Sequence, residues 1–229
     1  MWTRKVIAIA AVTVLAGALA ACGDDSSSKD KVKTADAPAK ADPATEKLRG
    51  ALLTVKDLPA GFAADDQESK AKYGTSACAK ALDTFGVPAG PGAGNGGSPK
   101  SAQLIARFVK GDLGPHIEQV IQRLPEKEAA AGVGRTKDAL AKCKTWEERG
   151  AGGAVTKANL AIAHSGAGND VVSARLVETT GSERVVTDLV ALRVHGVVCV
   201  LRASAAKSLD DKLVLAVTKT AAERLRGKA

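Results

Sequence analysis

The sequence predicts an α+β domain, a twisted antiparallel meander backed by helices and closed by an amphipathic C-terminal helix. Three observations point there. Four strand-like runs, at 158–164, 171–179, 184–194 and 197–203, follow one another with only turn chemistry between them. The segment after them, 208–226, has helical periodicity. The other helical signals fall before these strands, and helices early with strands late make a layered α+β arrangement.

The elements follow in chain order. Residues 48–53 read as a short helix, and Leu58-Pro59-Ala60-Gly61-Phe62 as a turn. Residues 76–85 read as a second helix, which carries Cys78. A Gly/Pro-rich loop fills 87–100, where regular structure would be broken repeatedly. Residues 102–109 alternate as a strand. In 114–124, Ile117, Val120, Ile121 and Leu124 recur at helical spacing, and Pro115 suits a first turn, so a helix is expected. Another helix is expected over about 134–144, with Cys143 near its end. The four late strands are separated by Ser-Gly-Ala-Gly-Asn-Asp, by Thr-Gly-Ser and by His195-Gly196. In the last helix Leu209, Leu213, Ala216, Val217, Thr220 and Ala221 share one face, which should lie on the sheet. Ser208 is its expected N-cap, with Asp210 and Asp211 as first-turn acids.

A different kind of sequence precedes this domain. Arg4 and Lys5 make a short positive start, and residues 6–21 are an uncharged run of mostly Val, Ile, Ala and Leu. That run is too short and Ala-rich for a permanent span, which needs ~20 strongly apolar residues. It fits an export signal with small residues at the cleavage end. The run ends Leu19-Ala20-Ala21-Cys22, which resembles the lipobox of bacterial lipoproteins. The resemblance implies cleavage before Cys22 and a diacylglycerol on its thiol, so membrane lipid is the expected partner at that residue and the outer face of a membrane the expected location. Residues 23–47 carry five Lys against six Asp or Glu, lack aromatics and read as a disordered linker.

The 229-residue chain leaves enough length after this linker for one domain with a real core, 48–229. The formal charge is +8. Without Arg4, Lys5 and the linker's single excess negative charge, the domain stands near +7. The basic residues are scattered, without aromatic interleaving or a nucleic-acid motif, so nucleic acid is not an expected partner. A solvated basic surface beside anionic lipid or wall polymer is the expectation. With Cys22 lipidated, Cys78, Cys143 and Cys199 remain, enough for one bridge and one leftover. Cys199 lies in Val197-Val198-Cys199-Val200-Leu201, a run that packs a thiol as a small hydrophobe. The expected bridge is therefore Cys78–Cys143, with Cys199 buried and free. Such a bridge would constrain the unfolded chain by ~4 kcal/mol in the entropy model.

Catalytic patterns find little support. Gly92-Ala93-Gly94-Asn95-Gly96-Gly97 matches a dinucleotide fingerprint as a string, but prolines flank it and a strand follows, where a helix would be needed. Ser204-Ala205-Ala206-Lys207 has the spacing of a Ser nucleophile with a Lys base but lacks the companion motifs. His116, His164 and His195 have no metal-ligand spacing. Glu147 and Glu148, neighbours on a strand, point to opposite faces. No cofactor, metal or catalytic set is expected. Trp146 serves either as a core anchor beside the disulfide or as a platform for a ligand.

Several motifs together carry a family resemblance. They are Leu52-Leu53-Thr54-Val55-Lys56-Asp57-Leu58-Pro59-Ala60-Gly61-Phe62, a Cys after a short spacer, Cys143-Lys144-Thr145-Trp146, and a C-terminal helix after a Cys-bearing strand. This resembles the actinobacterial extracytoplasmic sensor-domain lipoproteins, related to the PknH-type sensor domain of a mycobacterial receptor kinase. The resemblance implies a twisted antiparallel sheet backed by helices and a ligand cleft. It also implies two disulfides, of which Cys78 and Cys143 match one pair and Cys199 one member of the other. No Cys stands shortly after Trp146, where the other member should be. The functional expectation is a membrane-anchored, non-catalytic sensor-like domain for a small or lipid-like ligand. The alternative is a structural lipoprotein that docks to an envelope protein.

Overall fold

A computed structural model of the protein describes residues 43–67, 73–85, 103–111, 114–150, 153–163 and 170–229. Cys22, His164 and the glycine run 92–97 lie outside the described residues. Helix α1 (Pro43–Arg49) opens the domain, followed by a 3-10 turn at Val55–Asp57 and strand β1 (Ala63–Ala64). Then come α2 (Ala77–Asp83), β2 (Gln103–Val109), β3 (His116–Arg123) and α3 (Glu126–Ala141). The remainder is β4 (Thr145–Arg149), β5 (Val155–Ala163), β6 (Val171–Thr180), β7 (Glu183–Val194), β8 (Val197–Ala206) and α4 (Asp211–Arg226).

The strands form one antiparallel sheet in the order β1-β2-β3-β8-β7-β6-β5-β4. β4 to β8 are a meander, as the turn chemistry predicts, and the β2–β3 hairpin joins it through β8. Helices cover both faces. The 48–62 segment and α4 pack on Phe108, Ile117, Ile121, Val190 and Leu201 on one face. On the other, α2 and α3 pack on Leu160, Leu176, Leu189, Val198 and Val200. Successive strand residues alternate between these two cores, because side chains on a strand alternate between faces.

β3 corrects the helix expected over 114–124. Ile117, Gln119 and Ile121 are buried toward the α4 side, while Val120 packs on the α2–α3 side. A central strand covered on both faces loses the simple alternation that identifies a strand, and its apolar residues here fell on helical spacing by coincidence. β3 is hydrogen-bonded to β2 and to β8, with Ile121 opposite both Leu104 and Cys199. Gly114 precedes it at φ +87, and a Cβ there would stand 2.9 Å from the His116 ring. The tight turn accordingly needs glycine.

Other boundaries also moved. The first helix lies earlier than 48–53, at Pro43–Arg49. α3 begins at Glu126, two turns before the expected start. Gly132 and Gly134 weaken the helical signal there. Yet Gly132 is buried, and its carbonyl accepts a hydrogen bond from Thr136 Oγ1 at 3.1 Å. In α4 the N-cap is Asp210, whose side chain accepts from Lys212 N, and the helix starts after Ser208. Its buried stripe is Val217, Thr218, Ala221, Ala222 and Leu225, with Ala216 exposed. Alanines all round this helix leave its face weakly specified by sequence alone.

Two side chains fasten the covering segments to the sheet. Gln119, fully buried, accepts from Leu53 N at 2.6 Å and donates to Ala51 O at 3.4 Å and Cys199 Sγ at 3.5 Å. Glu148 accepts from Ser76 N at 2.9 Å and Thr75 N at 3.1 Å, bridging β4 to the start of α2. These bonds from Ser76 and Thr75 hold the Glu148 carboxyl below its ordinary range.

Two outcomes are expected. Gln119→Ala strands the buried Leu53 amide without its acceptor and should cost about 2 kcal/mol in urea denaturation. Glu148→Gln should melt lower than the wild type at pH 7. A depressed folded-state pKa stabilises above the unfolded value and is lost as pH falls through the folded one. The difference between the two proteins should therefore shrink as pH drops below the ordinary Glu value of 4.5, followed by thermal melts across pH.

Candidate functional site

Cys78, Cys143 and Trp146 fall on the α2–α3 side of the sheet. Cys78 and Cys143 form a disulfide with their Cα atoms 5.6 Å apart, joining α2 to the end of α3. Trp146 packs half-buried against that same core. Its indole Nε1 is buried without a hydrogen-bond partner among the described residues. Trp146 thus shares a core with the bridge, and it does not line the cleft described below. Cys199 is a free, fully buried thiol on β8. Burial pushes its pKa up to about 12, only partly offset by the bond from Gln119, so it stays protonated and unreactive.

Ser204 lies on β8, and Lys207 follows it in a left-handed turn at φ +68. No hydrogen bond joins their side chains among the described residues. His116 starts β3, and His195 sits in the β7–β8 turn at φ 52. Among the described residues, no group of three or more His, Cys, Asp or Glu is placed to hold a metal ion. Among them also, no helix is long and apolar enough to cross a membrane.

The structure places a cleft where the sequence suggested no site, although Asp211, expected only as a first-turn acid, lines it. α4 lies over β7 and β8, and on the far side of β8 the 48–62 segment covers β3 on the same face. Between the helix and β5–β7 is a hollow of about 340 Å³. Ala161, Val190, Val214 and Leu215 give it apolar walls, and Ser173 and Thr218 add hydroxyls. Leu215 stands at the helix surface, 66 % exposed. Residues 211, 214, 215 and 218 recur at the i, i+3, i+4, i+7 spacing of one helix stripe.

One end of the cleft is ionic. Arg175 and Asp188 are directly paired across β6 and β7 and so share a face. Arg175 Nε donates to Asp188 Oδ1 at 2.7 Å and Nη2 to Oδ2 at 2.6 Å, a two-point grip. Nη2 also donates to Asp211 Oδ1 at 2.5 Å, in the first turn of α4. The hydrogen bonds that Arg175 donates to Asp188 outweigh desolvation and, with the one to Asp211, raise the Arg175 pKa, fixing its charge. This triad ties the start of α4 to the middle of the sheet. Sequence could not supply it, because the pairing depends on strand register.

A second hollow, about 590 Å³, lies near the start of α4 between Phe62, Lys110, Pro115, Leu209 and Leu213. Gly111 and Gly114 also line it. On the opposite face, Glu118 is shared by Arg107, at 2.7 Å, and Arg202, at 3.3 Å, an ionic ladder over three strands.

The fold has a solved counterpart. The extracellular domain of PknH from Mycobacterium tuberculosis is similar over 79 % of this chain and 96 % of that one, with a TM-score of 0.57 and 12 % identity. At that identity the likeness establishes a shared fold. A point mutant of the protein Mog1 also matches over 60 % of this chain and 81 % of that one, at 12 % identity, but with a TM-score of 0.20 it carries no argument. No protein-family model matches the sequence, and no curated protein matches it.

Arg175→Met should destabilise the domain by about 2 kcal/mol, because Asp188, only 10 % exposed, is left as an uncompensated charge. Adding Asp188→Asn to that variant should recover most of the loss. A double-mutant cycle in urea measures both.

Proposed function

We propose that this chain is a non-catalytic, extracytoplasmic binding domain that takes a small or lipid-like ligand in the cleft between α4 and β5–β7. The observation that carries this reading is the cleft itself, with apolar walls closed at one end by fixed polar groups. Ligand sites have that composition, and this one lies at the small end of their usual size. The fold shared with the extracellular domain of PknH supports an extracytoplasmic, sensor-like role. The Leu19-Ala20-Ala21-Cys22 sequence supports export and a lipid anchor on Cys22, which would keep the domain at the outer membrane face.

Ala161→Trp fills the cleft from β5, at an exposed position that the core does not need. Native mass spectrometry of detergent-free protein from its own membranes should find an adduct of small-molecule mass on the wild type. The adduct should be lost from Ala161→Trp while the melting temperature stays the same. An adduct retained in full by Ala161→Trp, or none on the wild type, would count against the cleft.

A further inference from the structure

The polar end of the cleft decides what kind of ligand fits it. We infer that the cleft selects a neutral, single-chain amphiphile whose head group offers a hydrogen-bond acceptor, in preference to a fatty-acid anion or a cationic amphiphile. This rests on the cleft being the binding site, as proposed above.

The argument begins with Arg175. A lone arginine at the end of an apolar cleft would be a carboxylate or phosphate receptor. This one is already committed. Its Nε and both Nη2 hydrogens go to Asp188 and Asp211. The triad therefore sets one guanidinium against two carboxylates, a net charge of minus one, and none of the other residues lining the cleft is charged. An anionic head would meet that negative charge, screened by solvent at exposed Asp211 and less so at Asp188, which is 10 % exposed.

The two hydrogens of Arg175 Nη1 are what the guanidinium has left, since no hydrogen bond engages them among the described residues. The side chain is 35 % exposed, so water meets them before a ligand binds, and a ligand acceptor would take that water's place. An ester carbonyl or a hydroxyl supplies one without adding charge. A quaternary ammonium head supplies none, and it could reach Asp188 or Asp211 only in competition with Arg175, which holds Asp188 at two points. Neutral heads with an acceptor are the class that satisfies the donor and respects the charge.

Size narrows the class further. A hollow of about 340 Å³ is near the lower limit for ligand pockets, too small for two acyl chains. Ala161, Val190, Val214 and Leu215 form walls suited to one short aliphatic chain, and the hydroxyls of Ser173 and Thr218 lie along the same cleft.

The test compares three probes of similar chain length, below their micelle concentrations: 1-decanoylglycerol, decanoate and decyltrimethylammonium. Titration calorimetry on the full chain, with amide shifts of Ala161 and Thr218 to locate binding, gives the order. The wild type should bind 1-decanoylglycerol at least tenfold tighter than either ion. Asp211→Asn, at an exposed position, removes one negative charge and should raise decanoate affinity severalfold. Asp188→Asn together with Asp211→Asn leaves Arg175 uncompensated and should put decanoate first.

Decanoate or decyltrimethylammonium binding the wild type as tightly as 1-decanoylglycerol would overturn the selectivity while leaving the cleft as the site. Affinity for decanoate unchanged in Asp211→Asn would overturn it too. No binding of any probe, or binding unaltered by Ala161→Trp, would overturn the cleft reading instead.

Discussion

The pairing of β3 with β8 holds the rest of the structure together. It joins distant parts of the chain through an eight-pair register, with Gln119 opposite Leu201 and Ile121 opposite Cys199. It fuses the β2–β3 hairpin to the β4–β8 meander, and each face of the resulting sheet becomes wide enough for its own core. Gln119 then has a fixed place from which to grip the backbone at Ala51 and Leu53. A shift of one residue in this pairing would turn Gln119 to the other core and Val120 into its place, so register and polar satisfaction enforce each other. Cys199 is inert for the same reason, sealed between β3 and β7 under the segment that Gln119 fastens.

The cleft is a by-product of how unevenly the two faces are covered. α2 and α3, stapled by Cys78–Cys143, cover the face that includes Leu160 on β5 and Leu176 on β6. α4 is a single helix on its own side and cannot span as many strands. The uncovered strip could have been a flat surface, but Arg175 draws the helix start toward the sheet through Asp211 while Leu215 stands out from the helix above it. The same ion triad thus shapes the hollow and sets its charge.

The fold class and the four late strands were legible in the sequence because turns such as His195-Gly196 separate runs with strong strand character. The disulfide followed from the setting of its cysteines. The β3 segment was not legible, since a strand buried on both faces carries no alternation and Ile117, Val120 and Ile121 fit a helix equally well. The first half of α3 was hidden by Gly132 and Gly134, of which Gly132 is buried and Gly134 faces open space. The cleft was illegible for a deeper reason. Arg175, Asp188 and Asp211 are unremarkable charges until register and the position of α4 bring them together, whereas Trp146, conspicuous because aromatics are so scarce here, turned out to belong to the opposite core.

The far end of α4 has a geometric consequence. Arg224 Nη1 donates to Leu52 O at 3.1 Å, and its Nη2 meets Asp57 at 2.8 Å, so the helix finishes beside the segment through which the chain comes in from its N-terminal side. The cleft borders residues 211–218, the helix's other half. α4 runs 16 residues, a rod of roughly 24 Å at 1.5 Å per residue. A domain tethered through its N-terminal residues would carry the cleft displaced along that rod from its point of attachment, and the helix would act as a spacer as well as a wall.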